Sequence, residues 1–260
     1  MGWIAGLDIG SAFSKAVILK DEELRSHSIR ETKGNFVSVA KAVIEEALTD
    51  ANLTIDRLDL IGGSGLGAAF IPYPFEKVAD ISCHSRGVHY FFPTVKTLIE
   101  IGNQVSRVTK VTPGGKVAGS VTGDKCAAGS GRILQIVAKV LQIDFKEMGA
   151  YSMRSAQPAK FTTGCAVFLE TETISRVAEG TPKEDIIAGL HHTLAARIAV
   201  MAQRMTIEED CVISGGGALD RGLVGILEKH IGMPIRTPEH PLLSGAVGAA
   251  LIARERSRRG

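Results

Sequence analysis

Two segments of the chain share one design, and this repeat most constrains the fold. Residues 6–11 read Gly-Leu-Asp-Ile-Gly-Ser, and residues 98–103 read Leu-Ile-Glu-Ile-Gly-Asn. Each segment places an acidic residue two positions before a glycine at the end of an apolar strand, and a polar return strand follows. Two halves of this kind, each a sheet with helices packed on it, predict a duplicated α/β fold with a cleft between the halves. Coincidence is the alternative, because strand–glycine turns are common.

The remaining sequence pattern fits two such halves, which we place at residues 1–96 and 97–260. Short apolar runs that end in glycine predict strands, and apolar residues at three- and four-residue spacing predict helices. The predicted strands are residues 4–8, 15–19, 58–61, 97–101, 105–111 and 211–213. The predicted helices are residues 37–48, 130–142, 166–179, 183–205, 223–230 and 244–254.

Composition narrows the classes of function. The chain of 260 residues carries 30 Lys and Arg against 28 Asp and Glu, a balance that argues against a general nucleic-acid binder. Its apolar runs are too short to span a bilayer, and residues 1–7 lack the basic start of a signal peptide. Four cysteines do not make a disulfide scaffold. We therefore expect a cytoplasmic, reduced protein with no nucleic-acid or membrane partner, in which clustered thiols are metal ligands or nucleophiles.

The first glycine turn has the composition of a phosphate-binding hairpin. A turn of small residues aims several backbone N–H groups at an anion, and glycine lets the backbone approach it closely. Asp8 is placed to hold Mg²⁺ through water. The expected phosphate contacts are Gly10, Ser11, Ala12, Phe13, Ser14 and Lys15, among which the serines add hydroxyl donors and the lysine adds positive charge.

Two later glycine turns complete the expected nucleotide site. The second hairpin would present Glu100, Gly102, Asn103 and Gln104 from the other side of the phosphates, with Glu100 and Gln104 as catalytic candidates beside Asp8. The third turn, Ser-Gly-Gly-Gly at residues 214–217, follows a strand and suits a ribose or adenine. Its expected contacts are Gly215, Gly216, Gly217, Leu219 and Asp220. Three purely structural turns are the alternative.

The order of these turns resembles the actin and sugar-kinase superfamily of ATPases. In that superfamily two phosphate hairpins and one adenosine glycine turn come in this sequence. The resemblance implies two ribonuclease-H-like halves with a central nucleotide cleft, ATP with Mg²⁺ as ligand, and ATP hydrolysis or phosphoryl transfer as the activity.

Two cysteines each come just before a predicted helix: Cys126 and Cys165. A helix N-terminus carries positive partial charge and free N–H groups, so it lowers a thiol's pKa and steadies a thiolate. Two thiolates are half of a Cys₄ iron–sulfur site, and a second subunit on a two-fold axis would supply the other half. Zinc is an alternative, although there is no close Cys-x-x-Cys pair, and two buried thiols are another. We interpret Cys83 and Cys211 as structural residues.

In detail the chain resembles the activator family of 2-hydroxyacyl-CoA dehydratases and ATP-dependent benzoyl-CoA reductases. The similar segments are residues 6–11 with Lys15, 82–87, 124–132, 165–168 with Glu172, 214–216 and 245–251. The resemblance implies one 4Fe–4S cluster bound by Cys126 and Cys165 of two subunits. It also implies that ATP hydrolysis drives an electron from the cluster to a CoA-thioester dehydratase or reductase, with ferredoxin or flavodoxin as the electron donor.

The chain departs from this family at several positions. The family's second hairpin reads Asp-Ile-Gly-Gly-Gln-Asp, whereas here Glu100 replaces the first Asp and Val105 replaces the last. Ala12 replaces a threonine, and Asp220 replaces an asparagine. Loss of a carboxylate that polarises the attacking water predicts attenuated hydrolysis, or a subunit that pairs with a more typical one.

The leading prediction is an ATP-dependent iron–sulfur activator. One alternative is an unequal subunit of a benzoyl-CoA-reductase-type heteromer. A sugar-kinase-like enzyme for a small molecule is another, but such an enzyme would have no use for two cysteines at helix ends. The third alternative is a non-catalytic scaffold that binds ATP or a cluster. The sequence does not identify the CoA thioester, which the partner enzyme would select.

Overall fold

The computed structural model describes residues 2–123, 129–162 and 165–258. The chain divides into two compact units. The first consists of Met1–Val95, Val111–Val117 and Leu242–Gly260, and the second of Lys96–Lys110 and Ala118–Pro241. The second unit is thus inserted in the sequence of the first. A division at residues 96 and 97 lies close to the first boundary but differs at the C-terminus, where the last helix belongs to the first unit.

The first unit is built on a five-stranded mixed sheet. Its strands are β1 (Trp3–Ile9), β2 (Phe13–Lys20), β3 (Glu23–Glu31), β4 (Leu58–Ser64) and β5 (Glu76–Lys77), in the order β3-β2-β1-β4-β5. Strand β1 pairs antiparallel with β2 and parallel with β4. The helices of this unit are α1 (Phe36–Asp50), α2 (Asp80–Phe91) and α8 (Ser244–Ser257).

Alternate residues of β1 and β2 enter two different cores, as the two-residue period of a strand requires. Leu7 and Ile18 join a cluster with residues of α1, whereas Ile4 and Val17 join a cluster with residues of α8. The strands are apolar on both faces because helices cover both faces of the sheet. Gly6 allows the close approach of α8, since a Cβ there would lie 2.0 Å from the Ala246 carbonyl oxygen.

The second unit has a sheet of the same size and plan. Its strands are β6 (Thr97–Ile101), β7 (Ser106–Val111), β8 (Val117–Thr122), β9 (Cys211–Ser214) and β10 (Ile235–Arg236), in the order β10-β9-β6-β7-β8. The helices of this unit are α3 (Gly131–Val140), α4 (Met148–Met153), α5 (Ala166–Ala178), α6 (Lys183–Gln203) and α7 (Arg221–Ile231). Its core joins Ile99 and Ile101 of β6 to the apolar faces of these helices.

The two sheets have the same strand order. Numbered within its own unit, each runs third, second, first, fourth and fifth strand. In both, the first strand pairs antiparallel with the second and parallel with the fourth. This shared topology confirms the duplication that the repeated strand–glycine segments predict. Among the described residues, no helix has the length and apolar character needed to cross a membrane.

Candidate functional site

The first predicted phosphate hairpin forms as expected between β1 and β2. The two strands pair in register down to Ile9 opposite Ser14, and the Gly10 amide donates to the Phe13 carbonyl oxygen at 3.1 Å. Residues 10–13 therefore form a tight, partly exposed tip. Glycine is required at its start, because a Cβ on Gly10 would lie 2.7 Å from the Phe13 oxygen.

A buried ion pair lies directly below this tip. Asp8 and Lys15 are opposite each other across the strands, and the Lys15 Nζ donates to Asp8 Oδ2 at 2.8 Å. The two side chains are 4% and 11% exposed. Ser14 is fully buried, and its hydroxyl is hydrogen-bonded to the Thr32 hydroxyl at 2.8 Å. Lys15 and Ser14 thus support the tip from below, and the tip itself consists of residues 10–13.

Two glycines approach the Asp8 carboxylate closely, and one of them also approaches a histidine. A Cβ on Gly65 would lie 2.6 Å from Asp8 Oδ1, and one on Gly245 would lie 2.7 Å from Asp8 Oδ2 and 3.2 Å from His84 Nε2. His84, on α2, is buried, and its Nε2 is 3.8 Å from Asp80 Oδ1. The sequence marks residues 82–84 only through the family resemblance, and it gives no sign that His84 and Asp8 both lie against Gly245.

The second hairpin has the same arrangement as the first: a glycine-closed tip above an acid paired with a cation on the return strand. The Gly102 amide donates to the Val105 carbonyl oxygen at 2.8 Å, and Glu100 lies directly opposite Arg107. Arg107 binds both carboxylate oxygens: its Nε is 2.9 Å from Oε2, and its Nη2 donates to Oε1 at 3.2 Å. Gln104 is exposed at the tip. Sequence reasoning missed Arg107, although it follows Glu100 by the same interval as Lys15 follows Asp8.

The third predicted turn lies at the same sheet edge as the second hairpin. Strands β6 and β9 are parallel neighbours with Glu100 opposite Ser214, so the turns after them meet at the carboxyl ends of the strands, where α/β sheets bind ligands. Gly215 has φ +84°, and a Cβ there would lie 2.6 Å from the Ile101 carbonyl oxygen. Gly217 packs equally closely on the Ile101 side chain. Leu219 is 49% exposed.

The Asp220 side chain points into the protein. Its Oδ1 accepts the Leu223 amide at 2.9 Å and caps α7, and its Oδ2 is 3.0 Å from His191 Nε2. His191 is fully buried on α6, and its Nδ1 is 3.0 Å from the Ser152 hydroxyl of α4. The carboxylate therefore fastens the glycine turn to three helices. The sequence did not indicate this network, because its members are far apart in the chain.

Of the two predicted cluster ligands, Cys126 lies outside the described residues. Cys165 is partly exposed at the N-cap position of α5, as the sequence predicts. The other described thiols are expected to be unreactive. Burial raises the pKa of the Cys83 thiol to about 12 and that of Cys211 to about 12, so both stay protonated at neutral pH.

The start of α3, which follows the Cys126 segment in sequence, is anchored on the second hairpin. The Gly131 amide donates to the Gly102 carbonyl oxygen at 2.8 Å, and the Ser130 hydroxyl donates to the Asn103 carbonyl oxygen at 2.9 Å. Ser130 occupies the N-cap position but makes no side-chain cap to its own helix. Its hydroxyl instead stabilises the second hairpin through the hydrogen bond to Asn103.

Comparison with known sequences identifies related proteins along the whole chain. The BadF/BadG/BcrA/BcrD ATPase family matches residues 5–253. The 2-hydroxyisocaproyl-CoA dehydratase activator of Clostridioides difficile is 35% identical over 95% of this chain and 93% of its own length. The (R)-2-hydroxyglutaryl-CoA dehydratase activating ATPase of Acidaminococcus fermentans is 35% identical over 95% of each chain. A benzoyl-CoA reductase subunit of Thauera aromatica is 29% identical over 95% of this chain and 91% of its own.

Solved structures agree with these relatives. Component A of the Acidaminococcus fermentans (R)-2-hydroxyglutaryl-CoA dehydratase superposes with a TM-score of 0.94 at 33% identity, covering 99% of this chain and 100% of that one. The Clostridium difficile 2-hydroxyisocaproyl-CoA dehydratase activator with bound ADPNP gives 0.93 at 33% identity, covering 99% and 96%. A Streptomyces griseus glucokinase of the ROK family gives 0.59 at 15% identity, covering 98% and 100%, which shows a shared fold. The expected actin and sugar-kinase fold class is confirmed.

Proposed function

Since the chain belongs to the BadF/BadG/BcrA/BcrD ATPase family, we propose that it is an ATP-dependent activator that delivers low-potential electrons to a CoA-thioester dehydratase or reductase. The observation that carries this proposal is 35% identity to two dehydratase activators over almost the whole chain. The paired hairpins support it, because each has a tight glycine tip above a buried acid–base pair.

In this proposal Mg-ATP is bound by the tip of the first hairpin, the tip of the second and the glycine turn. Residues 10–13 contact the phosphates with Gly102 and Asn103, while Ser14 and Lys15 support this tip from below. Residues 215–217 with Leu219 contact the adenosine. Asp220 acts on the turn through its cap of α7. The enclosure of Asp8 by Gly65 and Gly245 suits a carboxylate that must hold Mg²⁺ or its water in one place.

The chemistry is attack of water on the γ-phosphorus. The bond from that phosphorus to the β,γ-bridging oxygen breaks, ADP leaves, and the water's proton departs with inorganic phosphate. Asp8 would hold Mg²⁺ or orient the attacking water, and backbone N–H groups of the two tips would stabilise the phosphate oxygens. We place Glu100 and Gln104 beside this reaction as the polar side chains of the second hairpin.

The cluster part of the proposal rests on Cys165 and the surface around it. A cysteine at a helix N-terminus fits an anionic cluster, because the helix dipole stabilises thiolate charge. With Cys126, one chain supplies two of four thiolates, so a second subunit is needed. Next to Cys165, helix α5 exposes Val167, Phe168 and Ile174 by 53% to 68%, an apolar surface suited to burial by that subunit. The bound cluster would supply one electron at low potential, received from ferredoxin or flavodoxin.

Electron delivery is the function to test. Anaerobically purified protein, reduced with dithionite, is mixed with Mg-ATP and a 2-hydroxyacyl-CoA dehydratase freed of its own activator. We expect dehydration of the 2-hydroxyacyl-CoA with ATP and none with a non-hydrolysable analogue. ATP hydrolysis that activates neither a dehydratase nor a benzoyl-CoA reductase would contradict the proposal, and phosphate transfer to a hexose would favour a kinase.

An unequal subunit of a reductase complex is the second candidate. The relationship to the benzoyl-CoA reductase of Thauera aromatica and the replacements at Glu100 and Val105 favour it. The native mass of the purified chain separates the two: a dimer with itself supports the homodimeric activator, whereas a monomer that pairs only with a second, related chain supports the heteromer.

A further inference from the structure

The two hairpins each carry an acidic residue, and each provides its own cation for it. We propose that Arg107 is the positioning residue of the second hairpin. Its guanidinium fixes both oxygens of Glu100 and cancels the carboxylate charge beside the phosphate-binding tip, as Lys15 does for Asp8. This inference rests on the proposed nucleotide site and adds a residue that the sequence analysis did not assign.

The geometric equivalence of the pairs supports this assignment. In each hairpin the acid lies two residues before the tip glycine, and the cation lies directly opposite the acid on the return strand. Each tip is closed by an amide of the glycine donating to a carbonyl three residues later, at 3.1 Å in the first and 2.8 Å in the second. The side chains of both pairs are 11% exposed or less.

The two acid–base pairs lower the electrostatic repulsion between the buried carboxylates and the phosphates of ATP. ATP brings several negative charges to these tips, and an uncompensated buried carboxylate would repel them strongly where water is excluded. A buried carboxylate also pays a large desolvation cost unless a hydrogen-bonded counter-ion is present. With Lys15 and Arg107 in place, each hairpin carries a neutral acid–base pair. The phosphates can then bind the N–H groups of the tip without being repelled by the carboxylate.

The two cations hold their acids differently. Lys15 donates to one oxygen of Asp8, which is Oδ2. Arg107 spans both oxygens of Glu100 with Nε and Nη2, as a planar guanidinium does and an ammonium does not. The longer acid in the second hairpin is therefore fixed in orientation, whereas Lys15 leaves the Oδ1 of Asp8 to water or Mg²⁺.

The test is ATP affinity in variants of the pair. We expect Arg107→Met to raise the KM and the Kd for Mg-ATP at least tenfold, equivalent to about 1.4 kcal/mol, with a smaller change in kcat. Arg107→Lys, which keeps the charge but does not span both oxygens of Glu100, should give a KM and Kd between those of the parent and those of Arg107→Met. Glu100→Gln/Arg107→Met, which removes both charges, should bind ATP as Glu100→Gln does.

A matched control separates positioning from stability. Val108→Ala, at the next residue of β7 and fully buried, should lower the melting temperature without changing the KM for ATP. Equal KM values in Arg107→Met and Val108→Ala would overturn the proposal. So would a double variant that binds ATP much more weakly than Glu100→Gln, because Arg107 would then contact the nucleotide itself.

The same measurements distinguish failure of the inference from failure of the function. If the parent binds and hydrolyses no ATP, the proposed nucleotide site is wrong. If the parent is active and Arg107→Met is unaffected, only the role of Arg107 is wrong. Should Arg107→Met fail to fold, Arg107→Lys decides, because it keeps the buried charge balanced; a KM and Kd for Mg-ATP equal to those of the parent would then overturn the role of the two-point contact.

Discussion

Asp8 has little freedom to move, because Lys15 holds one oxygen and the backbones at Gly65 and Gly245 approach both. Its replacement tests whether this position serves chemistry. Asp8→Asn keeps the shape and removes the charge, and we expect ATP hydrolysis to fall by at least about 100-fold, as when a transition-state contact is lost.

The measurement is phosphate release under saturating Mg-ATP, with circular dichroism as the check on folding. Asp50→Asn, an exposed acid at the end of α1, is the matched control and should hydrolyse ATP at the parent rate. Hydrolysis by Asp8→Asn at that rate would show that Asp8 is not part of the reaction.

Val105 is the position where the second hairpin departs most from the related family. The turn there is closed by the Val105 carbonyl, so its backbone does not depend on the side chain, and an aspartate should be tolerated. We expect Val105→Asp to raise the ATP turnover number several-fold, because it returns a carboxylate able to polarise water. Unchanged turnover in a folded, active protein would show that another residue positions the water.

The buried thiols make a prediction about reactivity and pH. Desolvation raises the pKa of Cys83 from 9.0 to about 12, against the opposing hydrogen bond with Ser64. The folded state therefore binds this proton more tightly than the unfolded state. Its contribution to stability is fully present below pH 9 and is lost as the pH rises toward 12. We expect stability to urea to decline through that range.

Thiol labelling at pH 8.5 gives the direct measurement. In cluster-free native protein, iodoacetamide should modify Cys165 and leave Cys83 and Cys211 unmodified until urea unfolds the chain, as peptide mass spectrometry will show. Equal labelling rates at Cys83 and Cys165 would contradict the burial on which this prediction depends.

Sequence reasoning identifies residues whose role is local and misses residues whose role is tertiary. Asp8, Gly10 and Gly102 are recognisable because a strand followed by a glycine turn is a local pattern. His191 and Ser152 gain their roles from helices that pack together far apart in sequence. Arg107 is an intermediate case. It follows Glu100 at the same spacing as Lys15 follows Asp8, but this spacing is recognisable as a pattern only when the two hairpins are compared.

Among the elements, α2 was not predicted from the sequence. Its buried residues include Cys83, His84, Ser85 and Gly87, so few large apolar side chains mark its inner face in the sequence. The helix is stabilised instead by close contact with α8. A Cβ on Gly87 would lie 1.8 Å from the Ser244 carbonyl oxygen, and one on Gly248 would lie 1.8 Å from the Cys83 carbonyl oxygen. Helices with periodic apolar residues, such as α1 and α5, were predicted within a few residues.

This contact makes glycine substitution a test of helix packing. We expect Gly248→Ala to lower the free energy of unfolding by about 3 kcal/mol or more, because a methyl group there would meet the backbone of α2 and the helices would have to separate. The control is Gly225→Ala in α7, where a Cβ meets nothing within 4 Å. That variant should gain about 0.5–1 kcal/mol from helix propensity. Urea unfolding measures both, and a Gly248→Ala protein as stable as the parent would contradict the packing.

For the whole molecule, the duplication and the fold class follow from the sequence because two strand–glycine hairpins encode the same sheet twice. The boundaries of the two units do not follow from the sequence, because only tertiary packing decides which sheet the C-terminal helix covers. Residues 244–250 are mostly small, as is typical of any tightly packed helix. They become interpretable only beside Gly6 and Gly62 of the first sheet, which give α8 its close approach.

The proposed cluster makes a prediction about the assembled protein. Cys126→Ser and Cys165→Ser should each lose most iron and sulfide, whereas the anaerobic parent should hold about four irons per dimer, as one Cys₄-ligated cluster requires. Cys211→Ser, in the core of β9, is the control and should keep its iron. Full iron retention in both ligand variants, or colourless parent protein after anaerobic reconstitution, would rule out the cluster.

The return of α8 to the first sheet affects how the chain emerges from the ribosome. Residues 3–64 supply the four longest strands of that sheet, yet the face formed by Ile4, Val17 and Leu19 is covered by α8, which is synthesised roughly two hundred residues later. The inserted second unit is complete before then. During translation the nascent protein therefore carries an uncovered apolar surface, a natural substrate for a holding chaperone. Ribosomes stalled before residue 244 should yield a second unit resistant to protease and a first unit that is degraded.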